Sequence, residues 1–273
     1  MLPNLINKDQ NGFTPGGNIF YSAHTIRDIL FYCKKENLDL ILLALDYTKA
    51  FDSLNFQFIH KTFKLFNFGQ NFRKWVEIIF RGGKSCITNN GHISKKFDIL
   101  RSTKQGDPIS PLIFILGLEI LFITLRSDEN IQGFKIENFE LKLTAFADDA
   151  SYFVKNKKSA EALLATIAKF SKISGLEVNL SKSECLIMSF EVNLNQYSGT
   201  FLGIPIVENI KILGHFYGKS ELTCNYQNFY SKLEKIKRVF NIWKQRNLTI
   251  FGKNVLKIQR VLSSHGRFWL NFV

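Results

Sequence analysis

In the stretch LTAFADDASYF (Leu143–Phe153), two adjacent carboxylates, Asp148 and Asp149, sit between apolar and aromatic residues. Taking one ionised carboxylate out of water is costly, and a second beside it adds repulsion. Hard divalent cations are the natural compensation. Mg²⁺ takes carboxylate oxygens, keeps some waters, and is commonly completed by substrate phosphates. Two such ions about 3.5–4 Å apart stabilise the attacking and leaving oxygens of a phosphoryl transfer. Without metal, such a cluster predicts raised, coupled carboxylate pKa values. A third acid, Asp46, closes the apolar run DLILLALD about a hundred residues earlier. An Asp-Asp pair alone is ordinarily a solvated turn, so its setting must decide.

The setting is a set of elements that can bring these acids together. Asp39–Asp46 reads as a buried strand ending in a carboxylate. Leu141–Ala147 and Ala150–Val154 read as two strands with Asp148-Asp149 at a tight hairpin tip. If those strands pair, three carboxylates converge on one sheet edge. Helical patterns cover Ile19–Glu36, Phe56–Phe80 with a break near Gly69, Asp107–Arg126, Ser159–Ser174, and most of the chain from Tyr226 onward. Asn90-Gly91 inside Ser85–Leu100 signals a β-hairpin. Short strands are expected near Cys185–Phe190, Phe201–Ile206 and Ile210–Phe216. Mixed strands and helices with antiparallel hairpins make an α+β fold, a sheet backed by helices.

Bulk properties narrow the partners. The 273 residues are 45% hydrophobic, enough for a sizeable core, and carry a net charge of +13. From Glu221 to the end there are ten Lys and Arg against two acids, so the excess is concentrated in a helical tail. That pattern fits a surface gripping a polyanion such as nucleic acid. The four cysteines are scattered without metal-ligand spacing. The apolar run Pro111–Arg126 is short for a membrane span and contains Glu119, so it reads as a buried helix, with no membrane partner. The expected location is nuclear, cytoplasmic or both.

ALDYTKAFDS, KQGDPISPLIF, FADD, SGLEVNLSKSE and KILGHFYG occur in this order, preceded by LINKDQNGFTPGGNI and followed by WKQRNLTIFGKNVLKI. The ordered set resembles the reverse transcriptase of LINE-type (non-LTR) retrotransposons over nearly the whole chain. The resemblance implies a right-hand polymerase palm, an antiparallel sheet backed by helices, with partial fingers and a helical, basic thumb. The expected division is residues 1–38 for partial fingers, 39–217 for the palm and 218–273 for a partial thumb. The implied activity is RNA-directed DNA polymerase, a nucleotidyltransferase adding dNTPs to a primer 3′-OH on an RNA template, as part of a retrotransposon polyprotein.

Residue by residue, the resemblance gives Asp46, Asp148 and Asp149 to two Mg²⁺ ions, with Mn²⁺ as an alternative. The backbone carbonyl of Tyr47 is a further expected ligand. Phe51 matches a steric gate against the ribose 2′-OH, with an ordinary core Phe as the competing reading. Gln105 and Gly106 are expected at the nucleotide pocket or template. Lys182 is expected either to protonate the pyrophosphate leaving group or to sit as a solvated loop residue. Leu213 and Gly214 are expected to form a primer-contacting hairpin, with Leu202-Gly203 in FLGIP as a second candidate. Arg246 and Lys253 are expected on template–primer phosphates, and Trp243 as a core anchor of the thumb.

The sequence also departs from the family. It starts just before the palm, so the upstream fingers, the endonuclease domain and the C-terminal cysteine-rich segment are expected in a longer parent polyprotein. Gly17 stands where the family usually has Arg, and Lys104 where Arg is common. The alternative reading is a truncated, catalytically silent remnant that at most binds nucleic acid through its basic C-terminal helices.

Overall fold

The computed structural model describes residues 4–80, 82–99, 107–189 and 199–244. The chain divides into two compact units, residues 1–215 and 216–273. The first is built on a four-stranded antiparallel sheet of β1 (Leu40–Leu45), β8 (Leu143–Phe146), β9 (Asp149–Val154) and β10 (Glu184–Met188). The strand order is β10-β1-β9-β8, so the earliest strand sits between two that arrive over a hundred residues later. Pairing aligns Leu42 with both Phe153 and Leu186, and Leu43 with both Tyr152 and Cys185.

Alternation then sorts the side chains onto two faces. Ile41, Leu43, Leu45, Tyr152 and Cys185 belong to the main core, with α2 (Ala50–Ser53), α3 (Phe56–Leu65), α5 (Ser110–Ser127) and α6 (Lys157–Ser174) supplying Ala50, Phe58, Phe114, Phe122 and Leu163, and Leu54 joining them just after α2. Leu40, Leu42, Phe153 and Leu186 face the other way and are equally buried. Helix α1 (Ile19–Glu36) contacts β8 and β10, and buries Ile26, Ile29, Leu30 and Cys33. With helices on both faces, β1 is an almost continuous apolar run rather than an alternating one.

Local signals place most boundaries. Asn18 caps α1 through its side chain, and Asn156 does the same for α6. The break expected near Gly69 separates α3 from α4 (Gln70–Phe80). Asn90 and Gly91, both at positive φ, turn β3 (Thr88–Asn89) into β4 (His92–Ile93), flanked by the pair β2 (Lys84–Ser85) and β5 (Phe97–Asp98). Two expectations are corrected. Helix α5 begins at Ser110, not Asp107, because the Asp107 carboxylate accepts the Ile109 N–H at 3.0 Å and holds a turn before the helix. The strand expected over Leu141–Ala147 is split, since Phe139–Leu141 (β7) pairs with Phe134–Ile136 (β6) in a separate hairpin. At the split, the buried Lys142 donates to the carbonyls of Leu125, Arg126 and Asp128 at 2.7–3.3 Å and so finishes α5.

Helix α5 is long and apolar enough to cross a membrane by length and composition. Here it forms the centre of the core, and its one buried carboxylate, Glu119, pairs with Arg126, which also holds Asp9 at 2.7 and 3.0 Å. Two acids share one guanidinium. Burial outweighs the attraction of Arg126 and pushes Glu119 up to about 7.

After β10, the pair β11 (Thr200–Phe201) and β12 (Ile204–Pro205) turns through Leu202-Gly203, and β13 (Asn209–Ile212) turns into β14 (His215–Gly218) through Leu213-Gly214. In the second unit, α7 (Glu221–Asn225), a π-helical turn (Tyr226–Tyr230) and α8 (Ser231–Lys244) follow one another directly. Asn228 grips both backbone groups of Phe216 at 2.8 Å. Helix α8 reaches Trp243, whose side chain lies outside the described residues.

Two measurements check this packing. Gly175 ends α6 at φ +83°, and a Cβ there would lie 2.5 Å from the Ser53 carbonyl oxygen. Gly175→Ala is therefore expected to destabilise the chain by about 2 kcal/mol in urea unfolding, combining left-handed strain with a backbone clash. The raised Glu119 pKa means the folded chain holds a proton that unfolded Glu releases near 4.5. That contribution is complete below about pH 4.5 and is lost as pH rises through about 7. The urea midpoint of the wild type should fall over this window, and that of Glu119→Gln should be flatter.

Candidate active site

Asp46 directly follows β1, and Asp149 is the first residue of β9. The register Leu45↔Ala150, continued by one step, sets Asp46 opposite Asp149. Alternation puts both on the face shared by Leu42 and Phe153, the face of α1. The acids thus converge at the ends of two adjacent strands, β1 being internal to the sheet. This corrects the expected placement on a sheet edge. The correction follows from β10 pairing on the far side of β1.

The hairpin between β8 and β9 has Phe146 paired with Asp149, which leaves Ala147 and Asp148 as its two turn residues. Ala147 takes φ +58°. Two-residue hairpins demand positive φ, and a residue with a Cβ accepts it only when held there. Asp148 is half-buried and Asp149 is exposed at the rim. Both carboxyls are raised above the usual range, first by desolvation. Asp46 then pushes Asp148 up, and Asp148 and Asp46 push Asp149 up. Like charges within reach of one another produce this pattern. No Lys or Arg ion pair to these three acids is found among the described residues. Nor do any three His, Cys, Asp or Glu side chains among those residues stand close enough to hold a metal ion alone. The acids form an open, oxygen-only, repelling group that suits a hard cation completed by water and substrate oxygens.

Backbone contacts fix where Asp46 stands. Its N–H donates to Ser183 Oγ at 3.1 Å, and its carbonyl accepts the Asn179 N–H at 2.8 Å. Ser183 Oγ in turn donates to the Asn179 carbonyl at 2.8 Å. The loop Asn179–Ser183 is thereby clamped to Asp46, and it carries the exposed Lys182. Tyr47 turns the opposite way, into the core. Its hydroxyl meets that of Tyr152 at 2.7 Å, tying the chain after β1 to β9 beneath the acids. Burial raises both phenols, that of Tyr47 to about 12. Tyr152, Ser183 and Asn179 carry no sign of these roles in the sequence, because each role depends on a partner distant along the chain.

Phe51 lies in α2, half-buried, stacked on Phe114 at 4.3 Å and edge-on to Phe13 at 6.5 Å. The ring is thus backed firmly by α5. Both Leu-Gly pairs form the same turn, with φ +51° and +83° at Leu202-Gly203 and +50° and +80° at Leu213-Gly214. They differ in surroundings. A Cβ on Gly203 would touch Leu180 Cδ1 at 3.6 Å, whereas one on Gly214 would meet open space. Gly17, which stands where the family usually has Arg, has no room for a side chain: a Cβ would lie 2.3 Å from the Asn11 carbonyl oxygen. Gln105, Gly106, Arg246 and Lys253 lie outside the described residues.

Comparison with known proteins agrees with this geometry. Residues 1–215 match the family described as reverse transcriptase (RNA-dependent DNA polymerase). The retrovirus-related Pol polyprotein from type-2 retrotransposable element R2DM of Drosophila melanogaster is 32% identical over 183 residues, 66% of this chain and 17% of that protein. The transposon TX1 uncharacterized 149 kDa protein of Xenopus laevis is 25% identical over 227 residues, 77% of this chain and 17% of that protein. The chain thus spans about 17% of the length of these curated relatives. Telomerase from Candida tropicalis, solved with the TWJ fragment of telomeric RNA, aligns with 88% of this chain and 39% of its own, at TM-score 0.54 and 14% identity. Apo telomerase from the same organism, truncated from its C-terminal domain, gives 0.52 over 80% and 41%, also at 14% identity. These two likenesses show the right-hand polymerase fold. With Asp46 and Asp149 at the ends of adjacent strands, Asp148 in the turn before β9, and a family match over most of its length, the chain belongs to the reverse transcriptase (RNA-dependent DNA polymerase) family.

Proposed function

We propose that the chain is the catalytic core of an RNA-directed DNA polymerase, working within a longer retrotransposon polyprotein that supplies the upstream fingers and an endonuclease. The observation that carries this reading is the Asp46–Asp149 juxtaposition beside Asp148, with no cationic side chain paired to the three acids among the described residues. Asp46, Asp148, Asp149 and the Tyr47 carbonyl would hold two Mg²⁺ ions, with Mn²⁺ able to substitute. When bound, such ions neutralise charge on the reacting phosphate and favour the ionised primer hydroxyl. The protein's part is positioning: the strand ends set the acids, the Tyr47–Tyr152 pair fixes their spacing, and the Asn179–Ser183 clamp holds the backbone of Asp46.

The other residues fall into supporting roles. Phe51, pressed against Phe114, cannot retreat from a sugar laid over it, which fits exclusion of a 2′-OH. Lys182 rides on the loop clamped to Asp46, which would suit a proton donor to pyrophosphate or a triphosphate contact. The open surroundings of Leu213-Gly214 favour this turn over Leu202-Gly203 as the primer contact. Gln105 and Gly106 would line the nucleotide pocket, and Arg246 and Lys253 would grip template–primer phosphates with strong salt dependence.

Primer extension on an RNA template with Mg²⁺ tests the reading. Asp148→Ala should lower the rate by about 1,000-fold or more, since several kcal/mol of charge stabilisation would go. A wild-type chain that extends no better than Asp148→Ala would overturn the polymerase reading. Salt-sensitive nucleic-acid binding would then leave the silent-remnant alternative.

A further inference from the structure

The turn that carries Asp148 is gripped from outside the sheet by Gln10, a residue with no part in the chemistry described above. Gln10 is 2% exposed, and its side-chain amide engages both backbone groups of Ala147. The Ala147 N–H donates to Gln10 Oε1 at 2.9 Å, and Gln10 Nε2 donates to the Ala147 carbonyl at 3.1 Å. The same Oε1 accepts the Gly12 N–H at 2.8 Å, so the amide is itself held in one orientation. Its backbone is anchored too. Residues Asp9–Asn11 run along β8, with the Ala145 N–H donating to the Asp9 carbonyl and the Asn11 N–H to the Ala145 carbonyl, both at 2.8 Å.

Three further facts make this grip specific to the turn. Ala147 is the residue at φ +58°, a conformation costly for anything but glycine. Gly12 lies so close that a Cβ there would stand 2.1 Å from the Ala147 nitrogen. Ala147 also directly precedes Asp148, so tilting its peptide plane swings that carboxylate. A glycine at position 147 would remove the strain, yet the chain keeps a Cβ there and supplies an external clamp.

We infer that Gln10 is a positioning residue for polymerisation: it locks the strained Ala147 peptide and thereby sets the direction of Asp148. The inference rests on the polymerase reading for its consequence, but not for its geometry. Gln10 touches no reacting atom and acts only through Ala147.

The test uses Gln10→Met, similar in length without donor or acceptor, in the whole chain. Ser22→Ala is the control for loosening beside the clamp, since Ser22 Oγ donates to the Ala145 carbonyl at 3.1 Å and accepts from Asn11 Nδ2 at 2.9 Å and Thr144 Oγ1 at 3.2 Å, but touches neither Gln10 nor Ala147. Gln10→Met should lower kcat for dNTP addition by about 10- to 100-fold, the scale of a small misplacement of a reacting group. KM for dNTP and affinity for template–primer should stay within about twofold, a split that simple instability would not give. Ser22→Ala should leave kcat unchanged. Amide exchange followed by NMR supplies a readout independent of activity. In the wild type the Ala147 N–H should be protected, unlike the Asn90-Gly91 turn amides of the β3–β4 hairpin, and Gln10→Met should remove that protection. An unchanged kcat in an active Gln10→Met variant, or a wild-type Ala147 N–H exchanging as fast as those turn amides, would overturn the inference. A protected Ala147 in a chain that extends no primer would sink the polymerase reading and leave the clamp standing.

Discussion

Across β1 and β9, Asp46 and Asp149 are brought face to face by a register that their own charges oppose. Like charges directly opposite on paired strands are destabilising, and Asp148 in the adjoining turn adds to the repulsion. The pairing persists because the apolar part of the same strands overrides it. Leu40, Leu42, Leu43 and Leu45 are all buried between two helix-covered faces, and a slip of one residue would draw a charged end of the run, Asp39 or Asp46, into that buried stretch. The acids occupy the last position the core can enforce, where the sheet runs out and solvent begins.

Everything around the site holds that arrangement in place. The Tyr47–Tyr152 hydroxyl pair couples the two strands beneath the acids, so they cannot separate without breaking a buried hydrogen bond. The loop after α6 grips the backbone of Asp46 from one side, and Gln10 grips the backbone of Ala147 from the other. Both clamps act on backbone and leave the carboxylate oxygens free for something else. Among the described residues the acids are thus oriented without a cationic partner, as a site completed by cation and substrate requires.

Much of this is legible in the amino-acid sequence wherever the governing interaction is local. Asn90-Gly91 announces its hairpin because positive φ suits those two residues, and the apolar periodicity of Ile19–Glu36 announces α1. The acids are legible for another reason: carboxylates set among apolar neighbours require a compensating partner wherever the chain folds. What the sequence hides is nonlocal. The insertion of β1 between β9 and β10 joins segments over a hundred residues apart. Gln10 in KDQNGF looks like an ordinary loop amide until the turn at Ala147 arrives beside it. The first turn of α5 misleads because Asp107 and Pro108 are good first-turn residues, yet the Asp107 carboxylate captures the Ile109 N–H and delays the helix.

The central claim is that these three acids, which pair with no Lys or Arg among the described residues, are completed by a divalent ion. Electron paramagnetic resonance of free Mn²⁺, titrated with the chain, tests it directly. The account predicts that the wild type depletes the free-ion signal saturably and that Asp46→Asn/Asp149→Asn loses this binding while remaining folded by circular dichroism. Equal Mn²⁺ uptake by the wild type and the folded double variant would contradict it.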